Sequence, residues 1–436
     1  MAGGSTVFAV SSARGRAAIA VVRISGPRAG AALTALGGRT DRARLARLAR
    51  LRCPHSGAAL DDALTLWFPA PASETGEDVA ELHVHGGPSV IAGVLDALGR
   101  IEGLEPAGPG DFTRRAFLNG KLDLTAVEGL ADLIAAETEA QRLQALDQLG
   151  GGLARLYEGW RAELVRALAH VEAAIDFTDQ EVPGDVIGRA LGEAAELRGR
   201  IARHLADGRR GERLRDGFRV VIAGPPNAGK SSLLNALAGR EAAIVTDEPG
   251  TTRDVIDVAL DLRGMPVLVS DTAGIRRGAG AVEREGVARA RARMAAADLV
   301  VWLRDGARTD APGAPAGRAG PVIELWSKAD LGRAPAGAPA VSVKSGEGID
   351  ALVDHIAEHA AAGTAGAGPA LTRSRHRHAL EAAAAALERV ERLEKKDAEL
   401  VAEELRSAAQ ALARVTGRVD VEELLGAIFS EFCIGK

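Results

Sequence analysis

Gly224-Pro225-Pro226-Asn227-Ala228-Gly229-Lys230-Ser231 follows the β-branched run Phe218-Arg219-Val220-Val221-Ile222-Ala223 and precedes a helical stretch from Ser232 to Leu237. The spacing is G-x-x-x-x-G-K-[ST], and its place between a buried strand and a helix is the context in which that spacing cradles phosphate. Backbone N–H groups of such a loop converge on phosphate oxygens, and the helix dipole favours negative charge there. Lys230 is expected to neutralise the β- and γ-phosphates and Ser231 to ligate Mg²⁺. A glycine-rich turn with an exposed lysine is the plain alternative, which the flanking elements argue against.

Three further signatures follow in the order a nucleotide switch requires. Gly250-Thr251-Thr252-Arg253-Asp254 supplies Thr252, which can reach Mg²⁺ only when a γ-phosphate is present. Asp271-Thr272-Ala273-Gly274 follows the strand Val267 to Ser270, so Asp271 can hold the metal through water while the Gly274 N–H meets the γ-phosphate. Ser327-Lys328-Ala329-Asp330 follows the strand Val322 to Trp326 and is expected to read the base. Asp330 can accept two hydrogen bonds from a guanine edge that adenine cannot donate, so GTP is expected, with ATP the alternative. Ser327 stands where the general pattern Asn-Lys-x-Asp has asparagine, and a hydroxyl is shorter than an amide. Ser342-Val343-Lys344 is read as the last guanine-contacting loop. Ile275 follows the Asp-x-x-Gly run directly, and an aliphatic side chain cannot orient water, so another group must do so.

Outward from this centre, the 436 residues are too many for one core and read as a multidomain α/β and α protein. Residues 1–119 alternate β-branched runs (Ala18 to Ile24, Leu64 to Phe68, Val79 to Val84) with turns, giving an α+β domain. Residues 120–215 are helical by apolar spacing, with Gly150-Gly151-Gly152 interrupting without ending the trend and one break near Val182-Pro183-Gly184. Residues 216–362 form a Ras-like P-loop α/β domain, ending in a linker from Ala361 to Pro369. Helices resume in 363–436, so the nucleotide domain reads as an insertion into a helical one. Arg39 to Arg52 is read as the solvated face of an amphipathic helix, with a patch facing nucleic acid as the alternative.

The net charge of −5 provides no overall basic footprint for nucleic acid. Only two cysteines, Cys53 and Cys433, are present, which suits a reducing compartment. The first ten residues lack a secretory signal and no run of about 18 apolar residues could span a membrane, so cytoplasm and no membrane partner are expected. His83-x-His85 on a strand with Cys53-x-His55 upstream raises a zinc site, against ordinary strand histidines.

The P-loop from Gly224 to Ser232, the Gly-Thr-Thr-Arg-Asp switch, Val282-Glu283-Arg284-Glu285-Gly286 and the tail Cys433-Ile434-Gly435-Lys436 together resemble the MnmE (TrmE) family of tRNA-uridine modification GTPases. Val22-Arg23-Ile24-Ser25-Gly26-Pro27, Thr75-Gly76-Glu77-Asp78, His85-Gly86-Gly87-Pro88 and Asn119-Gly120-Lys121-Leu122-Asp123-Leu124 extend the resemblance over essentially the whole chain. It implies a G domain that pairs across its switch face and binds K⁺ in place of an arginine finger. Asn227 would offer its side-chain oxygen, with Thr246, Glu248 and Thr251 completing the shell, and Asp247, Pro249 and Gly250 beside the nucleotide. Glu283 would orient the hydrolytic water; a solvated carboxylate at a helix start is the other reading.

The same resemblance implies an N-terminal folate-binding domain that also forms a constitutive homodimer. Arg23, Glu81 and Lys121 match its contacts to a tetrahydrofolate derivative (5,10-methylene- or 5-formyl-), with Lys436 beside the pocket. Cys433 is open to three readings: a buried apolar residue, a thiol at the modification centre, or a prenyl acceptor, the last disfavoured by Gly435 and a terminal Lys. The implied activity is GTP hydrolysis coupled to placing a carboxymethylaminomethyl group on C5 of the wobble uridine, U34, of certain tRNAs. An FAD-dependent partner, MnmG, would complete a heterotetramer, in keeping with the lack of a dinucleotide fingerprint here. The rival readings are a ribosome-assembly switch that binds rRNA and a self-assembling GTPase scaffold.

Overall fold

The computed structural model describes residues 4–13, 15–176, 185–207, 209–240, 257–271, 290–308, 311–315, 320–331, 334–366, 368–394, 397–419, 422–430 and 432–436. The chain divides into two compact units, one of Met1–Ala131, Gln148–Gly159 and Leu412–Lys436, the other of Asp132–Asp147 and Trp160–Ala411.

The first unit holds a six-stranded sheet of β1 (Thr6–Val10), β2 (Ile19–Ser25), β3 (Arg47–Arg52), β4 (Ala59–Phe68), β5 (Val79–His85) and β6 (Leu104–Pro106) in the order β3-β4-β5-β2-β1-β6. Every neighbouring pair is antiparallel except β1 with β6. Alternation along β2 and β5 sends Val22, Ile24, Leu82 and Val84 into a core shared with Leu33 and Leu98 of the helices Ala29–Ala35 and Pro88–Gly99 and with Leu36 just past the first. The α+β expectation therefore holds.

The Arg-rich segment is a correction: Arg47–Arg52 is an edge strand, not a helix face. Leu51 is fully buried while Leu48, Arg50 and Arg52 point outward, which is a period of two. Arg50 lies opposite Asp62 in the β3–β4 register and pairs with it at 2.9 Å, so the cross-strand charge pair favours strand over helix.

The tail closes this unit. Phe429 and Phe432 pack on Leu124 and Val127, Ile434 bridges Pro109, and the Phe112 N–H donates to Lys436 O at 3.2 Å. Gly435 has φ +101°, and a Cβ there would lie 2.0 Å from Val10 O, so no other residue fits the turn. Gly150-Gly151-Gly152 interrupts the helical run without ending it, as expected: Glu139–Leu149 stops before it and Gly152–Asp176 starts after Gly151, whose φ is +82°.

The second unit contains a five-stranded sheet of β7 (Phe218–Ala223), β8 (Asp257–Leu262), β9 (Met265–Asp271), β10 (Leu299–Asp305) and β11 (Val322–Ser327) in the order β11-β10-β7-β9-β8. All pairs are parallel but β8 with β9, a hairpin missed in the sequence and turned by Arg263 and Gly264, both left-handed. The helices Lys230–Arg240 and Ile349–Thr364 bury Leu233, Leu237, Leu352, Val353 and Ile356 against it. The second of these runs past residue 362, because Ala357 and Ala360 still face the core, so the expected linker starts later than Ala361. Helices Val186–Leu205 and Ser374–Glu391 pack together through small and branched residues. The break expected at Val182-Pro183-Gly184 lies outside the described residues. Among the described residues, no helix is long and apolar enough to cross a membrane.

Candidate nucleotide site

The phosphate loop joins β7 to the helix Lys230–Arg240 at the carboxyl edge of the parallel strands, where open α/β sheets place ligands. Gly224 has φ +146° and its Cβ would sit 2.5 Å from Leu303 O, so the loop must start with glycine to pass β10. Asn227, exposed, takes a left-handed φ of +63°, which asparagine tolerates better than most residues, and Gly229 follows at +90°. Lys230 is buried, and its Nζ donates to Gly224 O at 3.1 Å and Pro225 O at 2.9 Å, curled over the loop. Ala228 is buried under the loop, while Ser232 is exposed on the first helical turn.

Pairing of β7 with β9 sets Ile222 beside Asp271, and Ser231 Oγ donates to Asp271 Oδ2 at 2.5 Å. The hydroxyl and carboxylate expected around one Mg²⁺ thus stand side by side, and two hard oxygens fit that ion.

The segments expected to read the base also meet. Ser342 is fully buried and its Oγ donates to Asp330 Oδ1 at 2.8 Å, while the Ala329 N–H donates to Val341 O at 3.0 Å. Asp330, Val343 and Lys344 are exposed, open to a base. Ser327 turns its hydroxyl to Arg304 O at 3.2 Å, and Lys328 pairs with Asp305 at 2.7 Å. Burial raises the Asp305 carboxyl, but hydrogen bonds from Lys328 and the Ala307 N–H outweigh it and hold it below its ordinary value. Asp305 was missed in the sequence because nothing local distinguishes it. Thr246, Asp247, Glu248, Pro249, Gly250, Thr251, Thr252, Thr272, Ala273, Gly274 and Glu283 lie outside the described residues.

In the other unit, Arg23 donates from Nε and Nη2 to Glu81 Oε1 at 3.0 and 2.9 Å, and its Nη1 reaches Glu74 at 2.5 Å. The β2–β5 register places Arg23 opposite Glu81. A cavity of about 510 Å³ is lined by Glu74, Glu81, Lys121, Arg44 and Phe68, with the Arg44 guanidinium 5.7 Å from the Phe68 ring centre. Lys121 Nζ donates to Pro71 O at 3.1 Å. Glu74, Arg44 and Phe68 escaped sequence reading. Lys436 approaches through the backbone of Phe112, whose ring lies 5.6 Å from the Arg23 guanidinium.

Cys433 is exposed, which removes its reading as a buried apolar residue: Phe432 turns inward and the next side chain turns out. The histidines weighed for zinc have ordinary partners. His85 Nδ1 pairs with Asp61 at 2.8 Å, His83 Nε2 with Glu81 at 3.2 Å, and His55 Nε2 contacts Arg100 O at 3.1 Å. Among the described residues, no group of three or more His, Cys, Asp or Glu could hold a metal.

Comparison with known proteins finds relatives along the whole chain. Residues 6–121 match the family described as GTP-binding protein TrmE N-terminus, and residues 124–433 match the MnmE helical domain. The chain is 58% identical to the tRNA modification GTPase MnmE of Parvibaculum lavamentivorans, over 99% of this chain and 100% of that protein. It is 54% identical to that of Rhodospirillum rubrum, over 99% of each. Among solved structures it is similar to Aquifex aeolicus Era bound to GDP·AlF4⁻, with 22% identity over 38% of this chain and 66% of that chain and a TM-score of 0.26, which adds nothing to the assignment. Matched by both family descriptions in succession and by relatives along their full length, the chain belongs to the MnmE (TrmE) family of tRNA modification GTPases.

Proposed function

We propose that this protein is a Mg²⁺-dependent GTPase that drives modification of tRNA, adding a carboxymethylaminomethyl group to C5 of the wobble uridine. The observation that carries the reading is the meeting of Lys230, Ser231 and Asp271 at one strand edge, with the Asp330–Ser342 pair at the same edge of the sheet. Lys230 binds the β- and γ-phosphates, and Asp330 selects guanine. Ser231 and Thr252 hold Mg²⁺, assisted through water by Asp271, and the ion neutralises phosphate charge.

Asn227, exposed on the loop, offers an oxygen to K⁺ with Thr246, Glu248 and Thr251. Glu283 orients the attacking water, the task Ile275 cannot perform. The cavity beside Glu81 and Lys121 suits a one-carbon tetrahydrofolate, whose pterin edge donates to a carboxylate and whose glutamate carboxylates seek cations. Residues 1–119 bind that carrier and form the homodimer; 120–215 and 363–436 make the helical domain around a G domain of 216–362. MnmG is the FAD-bearing partner, and the complex works in the cytoplasm. Cys433, exposed in the docked tail, is available to the modification chemistry.

Two measurements test this. The full chain should bind GTP and not ATP in Mg²⁺ and K⁺, and failure to retain guanine nucleotide would end the account. Mass analysis of wobble uridines in cells lacking the protein should reveal the missing carboxymethylaminomethyl group; intact modification would leave a GTPase without this substrate.

A further inference from the structure

We propose that the end of β10, Arg304-Asp305-Gly306, braces the guanine-reading segment, and that Asp305 is a positioning residue that sets guanine-nucleotide affinity by holding Lys328. The inference rests on the reading of Ser327 to Asp330 as the base-reading segment.

Three consecutive residues of β10 and its end grip two consecutive residues of β11 and its end. Arg304 O accepts from Ser327 Oγ at 3.2 Å, Asp305 Oδ1 pairs with Lys328 Nζ at 2.7 Å, and the Gly306 N–H donates to Ser327 O at 3.1 Å. The approach is so close that a Cβ on Gly306 would lie 2.0 Å from Ser327 O. Asp305 is itself fixed, since its Oδ1 accepts from the Ala307 N–H at 3.0 Å and its side chain is only 9% exposed against 35% for Lys328.

Lys328 has φ +57°, a left-handed conformation that a long side chain seldom adopts and that persists where surrounding contacts impose it. With serine in place of asparagine, the hydroxyl's single proton is committed to Arg304 O, so it donates to nothing else. The Lys328 ammonium, tethered by Asp305, then adds the charged side-chain tie between the segment and the sheet. Pinning the ammonium also pins its four-carbon stem, an apolar surface against which a purine can lie. An untethered lysine must lose that freedom when nucleotide binds.

The test follows release of fluorescently labelled GDP from the full chain in Mg²⁺. Wild type is compared with Asp305→Asn, Lys328→Ala and the double variant; the asparagine oxygen can still accept from Ala307. Asp305→Asn should speed release about tenfold, between the limits for exposed and buried charge pairs. The double variant should release no faster than Lys328→Ala alone, because Asp305 acts through Lys328. Equal acceleration by Asp305→Asn in both backgrounds assigns Asp305 to the scaffold and overturns the proposal, as does unchanged release. Should Asp305→Asn fail to fold, Lys328→Met, at the more exposed end, reads the same tie: about tenfold faster release supports it and unchanged release overturns it. A wild-type chain that binds no GDP would sink the base-reading assignment itself, a separate result.

Discussion

Arg373 Nη2 donates to Asp132 Oδ1 at 2.8 Å across 241 positions of sequence. The same oxygen receives Arg215 Nε at 3.3 Å. Arg215 lies just before β7, and Arg373 follows the helix Ile349–Thr364. One carboxylate therefore ties the chain where it enters and where it leaves the nucleotide domain. The two crossings run so close that a Cβ on Gly211 would meet Leu371 O at 2.3 Å. Asp132→Ala leaves two guanidiniums without their shared partner and should lower stability by about 1–2 kcal/mol, below the figure for a fully buried pair since these groups keep some solvent. A denaturant midpoint equal to wild type would show that the tie is idle.

The 2.5 Å contact between Ser231 and Asp271 predicts metal dependence. Ser231→Ala should weaken GTP binding about tenfold or more in Mg²⁺ yet change it little in EDTA, because the lost hydroxyl acts on the ion. Titration calorimetry with and without metal reads the difference, and an equal loss in both would move Ser231 out of the metal shell.

Asp330 is exposed and held by Ser342 at 2.8 Å, so its carboxylate is oriented before a base arrives. Asp330→Asn replaces an acceptor pair with an acceptor and a donor, the pattern that suits xanthine. GTP binding should fall about a hundredfold or more while xanthosine triphosphate gains, as expected where a polar group is left facing a mismatched partner. Competition between the two nucleotides measures it; selectivity like that of wild type contradicts the base-reading role.

Asn227 sits exposed at a left-handed turn of the phosphate loop. Hydrolysis should run well faster in K⁺ than in Na⁺, and Asn227→Ala should erase most of that advantage while nucleotide still binds. Phosphate release in matched salts is the assay, with equal wild-type rates removing the cation from the scheme.

His204 lies largely buried on the helix Val186–Leu205 with its ring edge-on to Trp160 at 5.6 Å. Burial pushes the imidazole below its ordinary value, Asp207 pulls it back, and Arg210, Arg377 and His376 push it down again. A base depressed in the folded state binds fewer protons there than in the unfolded chain. Its stabilising effect is thus whole above about pH 6.5 and is lost as pH falls from there through the folded-state value. Wild type should lose more stability between about pH 7.5 and pH 5.5 than His204→Phe; parallel pH curves would acquit His204.

Residues 218 to 240 could be read without the fold because each signal there is local. A β-branched run, a glycine spacing and a helix start lie within a few residues of one another, and β7, the loop and the helix Lys230–Arg240 appear where those signals put them. Asp271 and Asp330 were legible for the same reason, each sitting at the end of a short apolar run.

Local signals failed where a partner strand decided the outcome. Arg47–Arg52 looks like a charged helix face until Leu51 enters the core and Arg50 meets Asp62 across the sheet. β8 carries little pattern of its own, and pairing with β9 makes it a strand.

The amino-acid sequence by itself determined where the segments proposed for phosphate, metal and guanine lie, since those readings need only fixed residue types at short spacings. Tertiary structure alone decided what holds those segments in place: Asp305 on Lys328, Ser342 on Asp330, Asp132 on Arg215 and Arg373. Such contacts depend on strand register and on where distant segments cross, and neither is written in the spacing of neighbouring residues.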